Sequence, residues 1–241
     1  MGYVVNKLEF RDAICLRYGW KIVQMPAHCA CGARNSIDHV LICKRGGYVS
    51  MRHNSLRNLE AKILSEVCTD VQIEPMLIPT ETEQVRGNGA TQARLDISAR
   101  GVWSQYERTF FDVRISHPTA DSHMHKSLQA LYAEQESQKK RMYGDRVLNV
   151  ERASFTPLVF TTTGGMSPEC ARFNQRVAEL IAKKRGESYS HVICHLRTRL
   201  RFALLRATLI AIRGERGRCV NTDEDNLQDI SFNLIPAHQD L

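Results

Sequence analysis

Aromatic residues are scarce, at 7% of 241 residues with two Trp and seven Pro, and no apolar run approaches the ~20 residues a membrane helix needs. The N-terminal MGYVVNKLEF lacks both the apolar centre of a secretory signal and the Ser/Thr that a myristoylation signal requires. A bilayer-spanning or secreted chain is therefore not expected. Eight Cys fall well short of a disulfide scaffold, and reduced thiols in an intracellular setting are expected. No internal repeat or low-complexity tract is visible, and the 43% apolar and 24% charged composition is that of a folded protein.

Negative charge is in short supply, with 33 Lys+Arg against 26 Asp+Glu. Residues 219–241 hold five of the acids (Asp223, Glu224, Asp225, Asp229, Asp240) and no Lys or Arg, so the +7 of the whole chain becomes +12 over residues 1–218. A body that basic attracts polyanions, with nucleic acid as the leading class of partner.

Along the chain, residues 7–20 are spaced as an amphipathic helix, and a Cys/His/Gly stretch, His28 to Gly47, follows without enough apolar residues for a core. Asn54 reads as the N-cap of a helix through Val67, with Leu56, Leu59, Ile63 and Val67 on one face. A strand at VQIEP, a polar loop over 80–92, and a hairpin of ARLDISARG and TFFDVRIS come next. Residues 123–143 form a helix with Leu128, Leu131, Tyr132 and Gln135 on one face and Gly144 as its C-cap. FTPLVFTTTGG is a buried strand, and helices over 168–185 and 189–213 precede the acidic tail. A helix crossing between strands favours an α/β (α+β) sheet with helical cover.

Three groups of residues carry chemistry. Cys29, Cys31, His39 and Cys43 read C-x-C-x7-H-x3-C, which suits tetrahedral zinc, with Gly32, Gly46 and Gly47 allowing tight turns; His28 is a competing ligand, and ordinary thiols are the plain alternative. Such a metal would supply the folding free energy that a coreless loop lacks. Asp96 and Asp112 each interrupt an apolar strand, with Glu74 ending the strand before them. A carboxylate among Leu95 and Ile97, or Phe111 and Val113, needs a partner that offsets its desolvation, and magnesium chelated between adjacent strands is one answer. Pairing with Arg94, Arg100 or Arg114 is the other. On the next helix Lys139 and Tyr143 continue the Tyr132, Gln135 stripe toward the sheet, while Lys140 turns away toward Glu136; the alternative is a solvated basic face. On the last helix Arg199, Arg206 and Arg213, with Arg197 and Arg201, make a basic ridge that either follows a phosphate backbone or merely solubilises.

The Cys/His knuckle, then Arg52, His53 and Asn54 (RHN) opening a helix, then EP, RLD, FFDV and a Lys-x3-Tyr helix, in that order over residues 10–215, resemble a known arrangement. It is the zinc knuckle plus restriction-like endonuclease domain at the C-terminal end of site-specific non-long-terminal-repeat retrotransposon polyproteins, within the PD-(D/E)xK nuclease superfamily. The resemblance implies a mixed sheet with an αβββαβ core (residues 51–218), an N-terminal helix and CCHC zinc knuckle (1–50) and an acidic tail (219–241). It implies Asp96 and Asp112 as ligands of Mg2+ or Mn2+, Glu74 or else Glu60 as a further acid, and Lys139 with Tyr143 supplying the charge that Arg114 stands in place of. Leu95 replaces the Pro before the first aspartate. The implied activity is metal-dependent DNA cleavage inside the nucleus, with structural Zn2+ at Cys29, Cys31, His39 and Cys43. Substrate contacts would come from Arg52, His53, Arg199, Arg206 and Arg213, on DNA or, secondarily, RNA. The alternative is a catalytically inactive nucleic-acid-binding protein of the same fold; a third option is an interaction module whose acidic tail masks its basic body.

Overall fold

The computed structural model describes residues 4–79, 93–214 and 216; the expected polar loop and the acidic tail lie outside them. Six helices and four strands follow in the order α1 (Lys7–Tyr18), α2 (Ile37–Ile42), α3 (Tyr48–Leu64), β1 (Thr69–Ile73), β2 (Ile97–Arg100), β3 (Arg108–Ser116), α4 (Leu128–Asn149), β4 (Ser154–Thr161), α5 (Pro168–Arg185) and α6 (Tyr189–Arg213). The strands form one mixed sheet ordered β1-β2-β3-β4, antiparallel except for the parallel β3–β4 pair. A parallel pair needs a crossover, and α4 provides it. None of the described helices is long and apolar enough to cross a membrane.

The sheet is covered on both faces. Ile97, Phe111, Val113, Leu158 and Phe160 pack with α3, α5 and α6, whereas Phe110 and Leu95 pack with Leu77, Ala153 and Val147 of α4. Pro157 is tolerated on β4 because its neighbours Val159 and Thr161 direct their backbone bonds away from β3, to Ser167 and Gly165, so no ladder donor is missing.

Helix ends follow local chemistry where a cap is present. Asn6 and Glu9 form a reciprocal capping box at the start of α1, and Gly19, with φ 67°, ends it. Ser167 caps α5 and Ser188 caps α6 through side-chain bonds, as the spans 168–185 and 189–213 require.

Two expected boundaries are corrected. Asn54 is no N-cap: α3 begins six residues earlier at Tyr48, because Gly46 and Gly47, both at positive φ, turn the chain from the Cys/His loop straight into the helix. Gly144 is no C-cap either, since α4 runs on to Asn149. Gly inside a helix costs about 1 kcal/mol, but Val147 beyond it is fully buried, and burying a Val returns roughly 1.5–3 kcal/mol. Leu128, placed on the buried face by its spacing, is 43% exposed.

The basic ridge on α6 is also corrected. Arg213 grips the buried Asp12 of α1 through both carboxylate oxygens, at 2.6 and 2.7 Å, and donates to the Val23 carbonyl. Arg206 donates to the Val4 carbonyl, and Arg199 pairs with Glu66 at 3.6 Å. These three guanidiniums are spent inside the protein; Arg197 and Arg201 remain exposed. Replacing Arg213 with Ala is expected to cost roughly 3–5 kcal/mol in urea unfolding, because Asp12 stays buried without its partner. The Asp12→Leu/Arg213→Met double variant should recover most of that loss.

Candidate functional site

The Cys/His loop brings its four donors together. Sγ of Cys29, Cys31 and Cys43 and a ring nitrogen of His39 all lie within 4.8 Å of one another. Cys29 and Cys43 sulfurs are 3.8 Å apart, which matches the edge of about 3.8 Å that ~2.3 Å zinc–thiolate bonds would span in a tetrahedron. Cys31 Sγ lies 3.3 Å from His39 Nε2. Two short backbone bonds, Gly32 N–H to the Cys29 carbonyl and Cys29 N–H to Ala33, shape the turn, with Gly32 at φ 90°. His39 and Cys43 come from α2 and its C-cap. His28 takes no part; it bridges to Arg34 instead. The donor set fits a soft, zinc-like ion.

The loop is docked rather than free-standing. Val40 of α2 shares a cluster with Tyr48, Met51 and the Ile210–Ile212 end of α6. Arg52 is buried and donates to the Leu41 carbonyl, and loss of hydration lowers its pKa to about 10. Arg52 therefore joins α3 to the loop, and its expected contact with nucleic acid is withdrawn. Asp38, beside the His39 ligand, accepts from Thr119 at 2.6 Å and contacts His117 at 2.9 Å, and His117 in turn meets Thr162 after β4.

The acidic cluster forms where β2 begins. The paired register reaches Ile73↔Ile97 and Ile97↔Phe111, and the next residues, Glu74, Asp96 and the Phe111–Asp112 segment of β3, lie side by side at its end. Backbone bonds from Glu74 to Asp96 and from Asp96 to Phe111 hold that row. The chain bends at Asp96, so Leu95 and Ile97 enter different hydrophobic clusters. Asp96 Oδ2 accepts the Val113 backbone N–H at 2.6 Å, taking the place of a ladder carbonyl that β2 no longer supplies.

From α4, Lys139 reaches Asp112, Nζ to Oδ2 being 2.6 Å, and its ammonium lies 5.6 Å from the centre of the Tyr143 ring, which packs on Phe155. The Lys139 ammonium is the cationic partner of Asp112 Oδ2 in a largely buried setting. Burial raises the Asp112 carboxyl above its ordinary range; Lys139 opposes that rise and the Asp96 charge adds to it. Burial likewise raises the Tyr143 phenol, with both aspartates reinforcing the shift. Two neighbouring, partly buried carboxylates that repel each other are hard donors of the kind divalent cations prefer.

His53 is the member whose role the residue pattern did not disclose. Its position on α3 aims Nε2 at Asp96 Oδ2, 3.2 Å away, and at the Val113 carbonyl, 3.1 Å away, while Nδ1 faces Asn54 Oδ1. All three neighbours are acceptors. Burial pulls the imidazole pKa down, but Asp96 together with the Asn54 and Val113 acceptors outweighs it and the net shift is upward, toward imidazolium. Expected as a contact to nucleic acid, His53 is seen to grip Asp96 with its ring still 32% exposed. A helix starting at Asn54 would leave His53 outside the helix, which is why the spacing did not reveal it.

Glu74 and Glu60 stand apart from that quartet. The Glu74 carboxylate is paired with Arg57 and lies 3.6 Å from Arg94. Lys140, expected to pair with Glu136, instead pairs with Glu169 of α5. Arg114 is exposed on the strand face that bears Asp112. Glu60 is wholly buried among α3, α5 and α6, near Cys170, Asn174 and Arg199; burial raises its pKa to about 8, with Arg199 pulling it partway back. The Asn174 amide faces Glu60 but donates to the Cys170 carbonyl, so neither Glu60 oxygen gains a well-formed hydrogen bond.

Comparison with protein-family models finds none that matches the chain, and comparison with curated proteins finds no match. The residues and their geometry therefore carry the functional reading.

Dialysis against a strong chelator is expected to remove one zinc-like ion per chain and to lower the melting temperature, with Cys43→Ser reproducing both effects; elemental analysis and thermal melts check this. Glu60 makes a separate prediction. Between its unfolded value of 4.5 and about 8 the folded chain holds a proton that the unfolded chain releases. Stability should therefore fall as pH rises through that window, by up to about 1.4 kcal/mol per pH unit, and Glu60→Gln should flatten the slope in urea titrations at pH 5.5, 6.5 and 7.5.

Proposed function

We propose that the protein is a metal-dependent DNA endonuclease of restriction-like fold, with a structural zinc knuckle and a retroelement origin. The observation that supports this best is the meeting of Asp96, Asp112, Lys139 and Tyr143 beside the two central strands of the sheet, in the order expected of the family's acidic strands and following helix. The succession α3-β1-β2-β3-α4-β4 agrees with the αβββαβ core implied by the resemblance. A nuclear site of action goes with the same reading.

Magnesium or manganese, held by Asp96 and Asp112, would supply Lewis-acid polarisation of the phosphodiester and of the attacking water. Asp96 is held in place by the Val113 N–H and His53, which fixes the position of its carboxylate. Asp112 presents the second carboxylate of the pair, from β3. Lys139 stabilises the negative charge that grows on the phosphate oxygens as the bond from water oxygen to phosphorus forms and the phosphorus–oxygen bond to the leaving sugar breaks. Tyr143 flanks the ammonium and limits where it can turn. Glu74, occupied by Arg57 and Arg94, has no direct part in this scheme.

The second reading, an inactive nucleic-acid-binding protein, draws on a specific observation: each aspartate already has a cationic neighbour, Lys139 for Asp112 and His53 for Asp96. Incubation with supercoiled plasmid and Mg2+ or Mn2+ separates the two. Nicking is expected, lost to background in Asp96→Ala and Asp112→Ala and reduced on the order of 10²–10³-fold in Lys139→Ala. DNA binding without metal-dependent cleavage would establish the second reading instead.

A further inference from the structure

We propose that the outer face of α1 and the Tyr18–Trp20 pair at its C-terminal end form a platform for unpaired nucleic-acid bases, distinct from the acidic cluster and independent of it. At about 100° per residue, Lys7, Phe10, Arg11, Ile14, Arg17 and Tyr18 fall within an arc of about 120°. That face combines aromatic and basic side chains. Phe10 is 58% exposed, Tyr18 63% and Trp20 58%, although aromatic residues are scarce in this chain.

Both acids of α1 are withdrawn from this face. Glu9 caps its own helix by accepting from the Asn6 N–H, and Asp12, 1% exposed, is held by Arg213 from α6. Arg11 lies 3.6 Å from Asp12 and is itself 45% exposed. The outward surface of residues 7–21 thus carries Lys7, Arg11, Arg17 and Lys21 with no exposed carboxylate, which is the charge pattern of a polyanion site.

Geometry completes the case. Gly19 adopts φ 67° and the Trp20 N–H returns to the Cys15 carbonyl at 2.8 Å, which folds the indole over the last residue of the helix. The Tyr18 and Trp20 rings stack with centroids 5.1 Å apart and planes inclined by 25°. A stacked, exposed pair next in sequence to Arg17 and Lys21, on a helix whose outer face also carries Lys7 and Arg11, offers flat faces to a third planar group and charge to the backbone that carries it, which is how single strands are held without sequence preference. Bases within a duplex are already stacked and cannot reach such a surface. An anionic membrane fits less well, because Phe10 and Ile14 are interrupted by charged side chains and leave no continuous apolar face.

The experiment uses the full chain and fluorescein-labelled (dT)15, (rU)15 and a 15-base-pair duplex, read by anisotropy. Tyr18→Ala and Trp20→Ala are each expected to weaken single-strand binding about 10- to 100-fold and to leave duplex binding within about twofold, while Trp20→Phe retains most of the affinity. Lys21→Gln should lower the salt slope on single strands by about 0.7. The DNA and RNA arms decide which sugar is preferred. Unchanged single-strand affinity in both Ala variants, an equal loss on duplex, or binding that shifts to phosphatidylserine vesicles would overturn the proposal. A second measurement does not depend on how the Ala variants fold. In the Trp103→Phe chain, where Trp20 is the remaining indole of the two, saturating (dT)15 is expected to quench its emission, and unaltered emission counts against the platform.

Discussion

The acidic cluster depends on one backbone donor, the Val113 N–H. Just before β2 begins the chain bends, and the donor that would have met a neighbouring carbonyl meets the Asp96 carboxylate at 2.6 Å. A side chain here completes a sheet ladder, which fixes that carboxylate more tightly than a surface ion pair would. The same bend lets Leu95 and Ile97 serve opposite faces of the sheet, so the site is assembled by the packing on both sides. His53 reaches the same point from α3 and Lys139 reaches the neighbouring Asp112 from α4, one from each helical layer.

Much of this was legible before any coordinates. The strand pair around Asp96 and Asp112, the helix carrying Lys139 and Tyr143, and the last two long helices follow from alternation, Pro and Gly punctuation, and Ser caps. The spacing of Cys29, Cys31, His39 and Cys43 anticipated a cluster that could hold a metal. What escaped the sequence depended on contacts between distant segments. Asn54 looked like a cap because Asn favours that position, but the two glycines after the last Cys ligand set the start of α3. Gly144 looked like a stop, but burial of Val147 carried α4 past it.

Arginine was the least legible residue type. A seven-residue spacing of Arg199, Arg206 and Arg213 reads as an outward ridge, yet their partners are Glu66, the Val4 carbonyl and Asp12, which lie up to 202 positions away. Arg52 and Arg57 are similarly committed, to Leu41 and Glu74. The number of Arg residues therefore overstates the guanidiniums this protein presents to solvent. Guanidinium groups act as internal ties because their forked donors can satisfy carbonyls and carboxylates where an ammonium would leave some unmet.

The tie between Asp12 and Arg213 joins the first described helix to the last, and Ile22, Val40 and Met51 complete their cluster only with Ile210, Ala211 and Ile212. During synthesis from the N-terminus, some 200 residues must leave the ribosome before those early side chains meet their cover. Until then the nascent chain bears a carboxylate and an apolar patch without their partners. The metal loop lies within that waiting region, so early capture of an ion would give it order before the rest of its scaffold exists.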